Sequence, residues 1–407
     1  MDGVYVGEGD PEIESFHHLN PELQHEWNPL FDKIRRECPV ARSQRFGGFW
    51  VFAAYRDVYR AYQEPETFSS FPNSIPAGEL GQQRALIPVE IDPPEHTWYR
   101  EILAPVFTAQ RMRILETKIR AHAVELIDGV LERGGCEFIS EFAKLLPSRI
   151  FLELVGWPIE DAPKFLEWAD VLMRAPMDPD PETSLLVQTA TALYGYFGTE
   201  LAKREASGPP VTGEDADLID RLRGASFGGE RHLTQMEILD CILLLLLAGL
   251  DTTQGVLGRA WEFLATHDEY RRDVVEHPEV VQSAVEELLR YFAPVQPGRR
   301  LTRDLELGGV RLSEGDRVML LTGSACRDEH EFPDPERVDL RRHPNRHIAF
   351  GAGAHRCLGS HLARLELQIA LREWHRRIPE YRITPGTTVR RHLSAVSGVD
   401  ELHLTLS

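Results

Sequence analysis

One cysteine, Cys357, lies in a setting that suits a reactive or ligating sulfur. It follows the segment Phe-Gly-Ala-Gly at 350–353 and precedes a helical pattern over Leu358–Trp374. The amides and partial positive charge of a helix start lower a thiol's pKa, and glycines let the preceding loop turn through positive φ. Gly359 has no side chain, so a flat ligand could lie on the first helical turn. The cysteine could be a nucleophile, a zinc ligand or an axial heme ligand; we favour the last because no partner cysteine is near.

A second unusual segment lies in the middle of a long predicted helix, Thr234–His267. At ~1.5 Å per residue this helix would be about 50 Å long. Its centre, residues 247–253, reads Leu-Ala-Gly-Leu-Asp-Thr-Thr. A glycine destabilises a helix by about 1 kcal/mol relative to alanine, and threonine hydroxyls that bond a carbonyl one turn back bend it. Two interpretations follow: a kinked core helix with satisfied polar groups, or a functional site.

At these two segments the chain resembles the cytochrome P450 family of heme-thiolate monooxygenases. Residues 248–252 match the family's oxygen-binding helix at every specified position. The matches in the heme-binding loop are Phe350, Gly351, Gly353, Cys357 and Gly359, with His355 as a common variant. The resemblance runs from about Trp50 to Val399 and is closest to the bacterial camphor hydroxylase group. It implies one P450 domain over residues 1–407, mainly α with small β-sheets, with heme b between the long central helix and the cysteine-loop helix.

The resemblance also implies roles for single residues. Cys357 would ligate the heme iron as thiolate, which favours cleavage of the O–O bond. Gly249 would leave room for dioxygen, and Asp251 with Thr252 would deliver protons, because O–O cleavage in a dry site needs a relay. Enclosed heme propionates need cations or donors. The candidates are His96, Arg100, Arg299 (or its neighbour Arg300) and His355, while Phe350 and Gly359 would also contact the heme.

A supporting network is expected around Glu287 and Arg290. The two residues share one helical face at i, i+3 spacing, although Glu-x-x-Arg arises by chance roughly once in 400 residues. By resemblance, they form a buried network with Arg337 that braces the cysteine loop.

The substrate cavity, by resemblance, has small or aliphatic walls. The expected wall residues are Ile87, Leu244, Leu247, Ala248, Val295, Ala395 and Val396. Such walls favour a compact, mostly apolar molecule of terpenoid-like size. Two predicted helices, Asp161–Arg174 and Thr183–Ala206, joined by Pro176–Pro181, would form a mobile lid that admits it.

Composition limits the partners and the compartment. A formal charge of −19 argues against nucleic acid and anionic membrane as partners. The acidic N-terminus has no signal-peptide pattern, and the longest apolar run, Cys241–Leu250, is about half a bilayer span. Five scattered cysteines fit a reducing compartment. We expect a soluble, monomeric, cytoplasmic protein.

Electrons are expected from an iron–sulfur ferredoxin with its flavin-dependent reductase, because no fused reductase segment is visible. An acidic ferredoxin would need a basic face near the cysteine. The candidates are Arg111, Arg113, Arg346, Arg356 and Arg364. Two alternatives remain: a peroxide-driven peroxygenase, which the pair Asp251-Thr252 disfavours, and a heme sensor or electron carrier without a substrate.

Helical patterns dominate the rest of the chain. Besides those named, helices are predicted at Pro21–Arg36, Ala54–Tyr62, Pro94–Leu103, Gln110–Arg133, Phe138–Val155, Asp217–Arg223, Tyr270–Glu276, Glu279–Phe292 and Leu358–Ile378. Strands are predicted at Phe46–Phe52, at Asp304–Leu307 and Val310–Leu312 around a Gly-Gly turn, at Arg317–Leu321 extending that sheet, and at His403–Leu406.

Overall fold

The computed structural model of the chain describes residues 10–24, 26–77, 84–175, 184–213 and 216–406. In chain order its α-helices are α1 Pro11–Glu14, α2 Asn28–Glu37, α3 Tyr55–Gln63, α4 Glu95–Leu103, α5 Ala109–Arg133, α6 Leu145–Val155, α7 Ala162–Arg174, α8 Leu185–Ala206, α9 Leu218–Gly224, α10 Gln235–Thr266, α11 Asp268–Glu276, α12 Val281–Tyr291, α13 Thr322–Ala325 and α14 Ser360–Arg377. The strands are β1 Val40–Ser43, β2 Phe49–Phe52, β3 Phe68–Ser69, β4 Gly135–Glu137, β5 Ser226–Phe227, β6 Arg231–His232, β7 Gly298–Leu301, β8 Leu305–Leu307, β9 Val310–Leu312, β10 Arg317–Leu320, β11 Tyr381–Ile383, β12 Arg390–His392, β13 Gly398–Glu401 and β14 His403–Leu406.

Two of the predicted helices are divided. Pro21–Arg36 becomes a 3₁₀ turn at Pro21–Leu23 followed by α2, which starts with a proline in its first turn. Phe138–Val155 becomes the π-helical turn Ile139–Ala143 followed by α6. The amide of Lys144 reaches the carbonyl of Ile139, and Pro147 has no amide to continue a regular α-helical ladder from there. The other predicted helices are found with ends that differ by at most two residues.

The strand predicted at Arg317–Leu321 is present, but its predicted place in the sheet of the Gly-Gly hairpin is wrong. The hairpin β8–β9 forms around Gly308 and Gly309, but β10 does not extend it. Instead β10 pairs parallel with β2 and antiparallel with β7, in a five-stranded sheet of order β1-β2-β10-β7-β3. Three consecutive residues of β10, Val318 to Leu320, are buried. Such a strand belongs inside a sheet that is covered on both faces.

The predicted strand Phe46–Phe52 is shorter than expected. Only β2, from Phe49, is extended, because Phe46, Gly47 and Gly48 all have positive φ. A left-handed backbone interrupts a strand, and glycine adopts it most readily.

Helix α10 passes through the core and carries much of the expected site. Its capping box between Thr234 and Glu237 is present. Glycines allow β13 to pack directly on it: a Cβ at Gly255 would lie 2.7 Å from the carbonyl oxygen of Ser397. In the described part of the chain, this helix alone has the length and apolarity to cross a membrane, and 72% of its most apolar window is buried in protein. That burial is typical of a core helix.

Helices α7 and α8, which the sequence assigned to a lid, pack against each other. Phe165 of α7 lies 6.2 Å, centroid to centroid, from Phe197 of α8, and both rings are fully buried. The predicted connection Pro176–Pro181 lies outside the described residues.

Candidate active site around Cys357

The loop before α14 is folded tightly around the cysteine. The amide of Cys357 donates to the carbonyl of Phe350 at 2.8 Å. Gly351 and Gly353 have φ of 64° and 66°, as their place in the sequence predicts. A Cβ at Gly353 would lie 2.2 Å from the carbonyl oxygen of Tyr62, so only glycine fits there. The loop therefore presents the sulfur in one fixed direction.

The surroundings of Cys357 correct one expectation about its thiol. The side chain is exposed, yet protein surrounds it on nearly all sides, so it lies at the floor of a recess. Burial raises the pKa of the thiol, although the amide of Gly359 and the cation of Arg100 pull that pKa down. The helix start alone therefore does not favour the thiolate. A further positive charge bound to the sulfur, such as a metal ion, would stabilise the thiolate.

Four cationic or titratable side chains converge beside this recess. His96 and Arg100 come from α4, Arg299 from β7 and His355 from the cysteine loop. The rings of His96 and His355 are 3.9 Å apart, centroid to centroid. Arg299 is 4% exposed, whereas its neighbour Arg300 is exposed, which decides between the two.

The electrostatics of this cluster indicate an anionic ligand. Burial, helped by Arg100, lowers the pKa of His96 to about 4. Burial, helped by Arg299, lowers the pKa of His355 to about 2. The buried Nε2 of His355 has no hydrogen-bond partner within the described ranges. Two buried or half-buried guanidinium groups, two histidines kept neutral beside them and an unpartnered nitrogen fit an anionic ligand that carries carboxylates.

The middle of α10 opens where most of that helix is buried. Ala248 and Gly249 are exposed, and a Cβ on Gly249 would meet no atom within 4 Å. The hydroxyl of Thr252 donates to the carbonyl of Ala248 at 2.6 Å. The hydroxyl therefore competes for a carbonyl of its own helix, as its position among the apolar residues predicts.

Asp251 is buried and paired with an arginine that the sequence did not reveal. Its Oδ1 lies 2.6 Å from Nη2 of Arg174 in α7, and Nε of Arg174 lies 3.1 Å from Asp400. Burial works against the guanidinium charge, but these carboxylates raise the pKa of Arg174. No local pattern could indicate this pair, since 77 residues separate its members.

The network around Glu287 and Arg290 is fully buried, but one member differs from the prediction. Arg290 donates to both carboxylate oxygens of Glu287 at 2.8 Å. The second guanidinium on Glu287 is that of Arg342, with Nε at 3.1 Å. Arg337 contributes only its backbone carbonyl, to Arg290, and its side chain is exposed. The side-chain role expected of Arg337 is therefore wrong: the chain turns Arg342 inward.

The expected wall residues of the substrate cavity differ in burial. Leu244 is partly exposed, one turn before the open Ala248, whereas Leu247 is 5% exposed and packs in the core. Val295 and Val396 pair across a β-bridge. The remaining two, Ala395 and Ile87, are partly buried.

Two of the five arginines expected on a docking face are engaged within the protein. Arg111 donates to the carbonyl of Ala216 at 2.8 Å, and Arg364 forms a two-point ion pair with Glu286. Arg113 and Arg356 are exposed, and Arg346 is 73% exposed with Glu331 at 3.8 Å. This leaves Arg113, Arg346 and Arg356 on the surface.

Comparison with known proteins identifies the family of the chain. The family model of cytochrome P450 matches residues 167–378. The chain is a cytochrome P450. Its relatives include the vitamin D(3) 25-hydroxylase of Pseudonocardia autotrophica, 32% identical over 93% of both chains. Another is a steroid C26-monooxygenase of Mycobacterium tuberculosis strain H37Rv, 34% identical over 91% of both chains.

Solved structures agree with this assignment across the whole fold. The crystal structure of CYP101J2 aligns with a TM-score of 0.84 at 31% identity and covers 99% of this chain and 98% of its own. That of CYP101C1 aligns with a TM-score of 0.86 at 28% identity, over 99% and 97%. The protein has the P450 fold and belongs to the bacterial P450 monooxygenases, and its similarity to these two structures agrees with the predicted resemblance to the camphor-type group.

The cofactor of this family, heme b, fits the residues present. The unpartnered Nε2 of His355 and the cations around it suit two propionates, and Gly359 leaves open space for a flat ring. When bound, the heme supplies the chemistry of oxygen activation.

Proposed function

We propose that this P450 hydroxylates a compact, mostly apolar small molecule of terpenoid-like size, with electrons from a ferredoxin and its flavin-dependent reductase. The observation that carries the substrate class is the open face of α10. Leu244, Ala248 and Gly249 present aliphatic or no side chains there. The one carboxylate in this stretch, Asp251, is buried and paired with Arg174. A wall of this kind binds its ligand by burial of apolar surface.

The names of two relatives support a hydrocarbon-rich substrate. One is called a vitamin D(3) 25-hydroxylase and another a steroid C26-monooxygenase. Both names describe hydroxylation or oxygenation of large, mainly apolar molecules. We infer the same chemical class for this chain, with a smaller molecule favoured by the buried Leu247 and the paired Val295 and Val396.

The proposed roles of the site residues combine the chemistry of the family with the surroundings of each residue. Cys357 would ligate the heme iron, and the cluster of His96, Arg100, Arg299 and His355 would hold the propionates. Thr252 and Asp251, in the middle of α10, would hold and move protons. The hydroxyl of Thr252 donates to the carbonyl of Ala248 in the exposed stretch of α10, and its sequence neighbour Asp251 is paired with Arg174.

Electron delivery is proposed at the surface behind the cysteine loop. Arg356 is adjacent to Cys357 and exposed, and Arg113 is exposed near the start of α5. A basic surface of this kind would attract an acidic ferredoxin to an otherwise acidic protein of charge −19. We further propose that residues 1–407 form one P450 domain that acts as a cytoplasmic monomer.

Ligand-induced spectra of the purified ferric protein test the substrate class. A panel of neutral terpenoids, sterols and charged carboxylates is titrated, and the shift of the heme from low to high spin is recorded. We expect neutral terpenoids to give the largest shifts at the lowest concentrations. Preference for the carboxylates would contradict the substrate class, and the absence of any shift across the panel would favour a sensor or carrier. Product formed with peroxide alone, at the rate seen with ferredoxin, would favour a peroxygenase.

A further inference from the structure

Glu286, the residue before the buried Glu287, is engaged in a second network that faces the cysteine loop. Arg364 of α14 donates Nε to Oε1 at 2.7 Å and Nη2 to Oε2 at 2.9 Å. Nε2 of His347 lies 2.9 Å from Oε2. Since Nδ1 of His347 accepts from the amide of Ala349, the ring proton belongs on Nε2 and points at Glu286. Both carboxylate oxygens are therefore used.

The guanidinium held by Glu286 lies on the loop that presents the sulfur. Its carbon is 4.5 Å from the ring centroid of Phe350, within the range of a cation–π contact. The carbonyl of Phe350 accepts the amide of Cys357 at 2.8 Å. Arg364 lies in the second turn of α14, the helix that begins three residues after Cys357. The Arg364 side chain therefore contacts the loop that presents the sulfur and also places a positive charge near that loop.

We propose that Glu286 is a positioning residue that sets the reduction potential of the bound heme through Arg364. The carboxylate holds the guanidinium over the ring of Phe350 and at the same time neutralises its charge. Because Arg364 is about one-fifth exposed and Glu286 about one-quarter, water screens the pair only in part. The electrostatic potential at the thiolate therefore depends on the difference between the Arg364 and Glu286 charges.

The two halves of the pair act with opposite sign. Glu286→Gln leaves an uncompensated cation near the thiolate, which favours addition of an electron and shifts the potential upward. Arg364→Met leaves an uncompensated carboxylate and shifts the potential downward. The double variant removes both charges, so its potential returns toward that of the wild type. A merely structural brace predicts something else, because either single change would loosen the loop and shift the potential in one direction.

Redox titration of the holoprotein with dye mediators tests the proposal, and it needs neither ferredoxin nor substrate, so its outcome is independent of the proposed function. We expect each single variant to change the reduction equilibrium by roughly threefold to tenfold, in opposite directions, where tenfold is about 59 mV for one electron. The control is Asp273→Asn, which breaks the two-point pair between Asp273 and Arg341 on the surface. Its potential should equal that of the wild type.

The Soret band of the ferrous–CO complex reports the position of the loop. Arg364→Lys keeps the charge but loses the planar stack, so we expect a wild-type potential with a smaller fraction of the red-shifted band. Shifts of the same sign in Glu286→Gln and Arg364→Met, or shifts no larger than in the Asp273→Asn control, would overturn the proposal. Loss of heme from all four variants at this pair would also overturn it, because the pair would then serve folding alone.

Discussion

Nη2 of Arg174 lies 2.6 Å from Oδ1 of Asp251, so a cation at the end of α7 closes over the carboxylate in the middle of α10. The same guanidinium reaches Asp170 on its own helix and Asp400 on β13. Nδ1 of His392 lies 2.9 Å from Asp400, and with Arg174 it outweighs burial to lower the pKa of Asp400 to about 2. Asp251 is therefore one end of a chain of polar and charged groups that continues through Arg174 and Asp400 to His392.

Replacement of Thr252 or of the buried Asp251, both next to the open stretch of α10, should separate reductant consumption from product formation. We expect Thr252→Ala to bind heme and substrate and to consume reductant, but to release more peroxide and less product. Asp251→Asn should slow turnover by about 100-fold, the lower limit for loss of a positioned acid–base group. Peroxide and product are measured per reductant consumed. Thr253→Ala, at a buried neighbour, is the control, and unchanged coupling in both site variants would mean that protons arrive by another route.

Residues of the buried network should differ in their effect on stability according to which side chain turns inward. Glu287 is 0% exposed, and loss of one partner of a buried ion pair costs about 3–5 kcal/mol. We expect Glu287→Gln and Arg342→Ala to lower the free energy of urea unfolding by roughly this amount. Arg337→Ala keeps the backbone carbonyl that Arg290 uses, so its effect should stay within about 0.5 kcal/mol. Equal losses in Arg337→Ala and Arg342→Ala would contradict this assignment.

The cysteine loop and the buried network around Glu287 and Arg290 show how far the sequence predicts the site. Glycines at 351 and 353, the cysteine and the helix that follows are local features, and the structure has the positive φ values that they require. Arg337 and Arg342 lie five residues apart in one irregular segment, and no periodicity there indicates which side chain faces Glu287. Arg174 and Asp251 meet only because two distant helices cross. Local chemistry was predictable, whereas partners set by tertiary packing were not.

Glu366 should make the stability of the protein fall as pH rises. Burial raises the pKa of this carboxyl from 4.5 to about 8, and its Oε2 has no partner among the described residues. Between these two values the folded protein binds a proton that the unfolded chain has lost. Stability therefore decreases with rising pH by up to about 1.4 kcal/mol per unit.

Unfolding of the wild type and Glu366→Gln between pH 5 and 8 measures this contribution. The variant has no proton to lose, so the difference between the two proteins should shrink or reverse as pH rises. Glu276→Gln, at an exposed position of α11, should keep the wild-type slope. A parallel pH dependence in wild type and Glu366→Gln would show that the carboxyl does not titrate in this range.

The proposed docking face should respond to charge reversal at the exposed arginines only. We expect Arg113→Glu with Arg356→Glu to weaken ferredoxin binding by at least tenfold at low salt, because a surface that attracted the ferredoxin now repels it. The effect should fade as ionic strength rises. Binding is measured from the dependence of the turnover rate on the concentration of reduced ferredoxin. Arg36→Glu, at the far end of α2, is the control, and turnover that ignores both salt and the reversed charges would exclude this face.

Replacement of Leu244 or Leu247 by the larger phenylalanine should show which of these two predicted wall residues lines the substrate cavity. Leu244 is partly exposed one turn from Ala248, so Leu244→Phe should place a ring in the cavity and weaken substrate binding or redirect the hydroxylation. Leu247 is 5% exposed in the core, so Leu247→Phe should act mainly on stability, with overpacking that costs about 1–3 kcal/mol. The substrate-induced spin shift, the product pattern and the urea midpoint are compared for both variants at equal heme content. If only Leu247→Phe changed the product pattern and Leu244→Phe did not, we would conclude that the cavity lies on the side of α10 that carries Leu247.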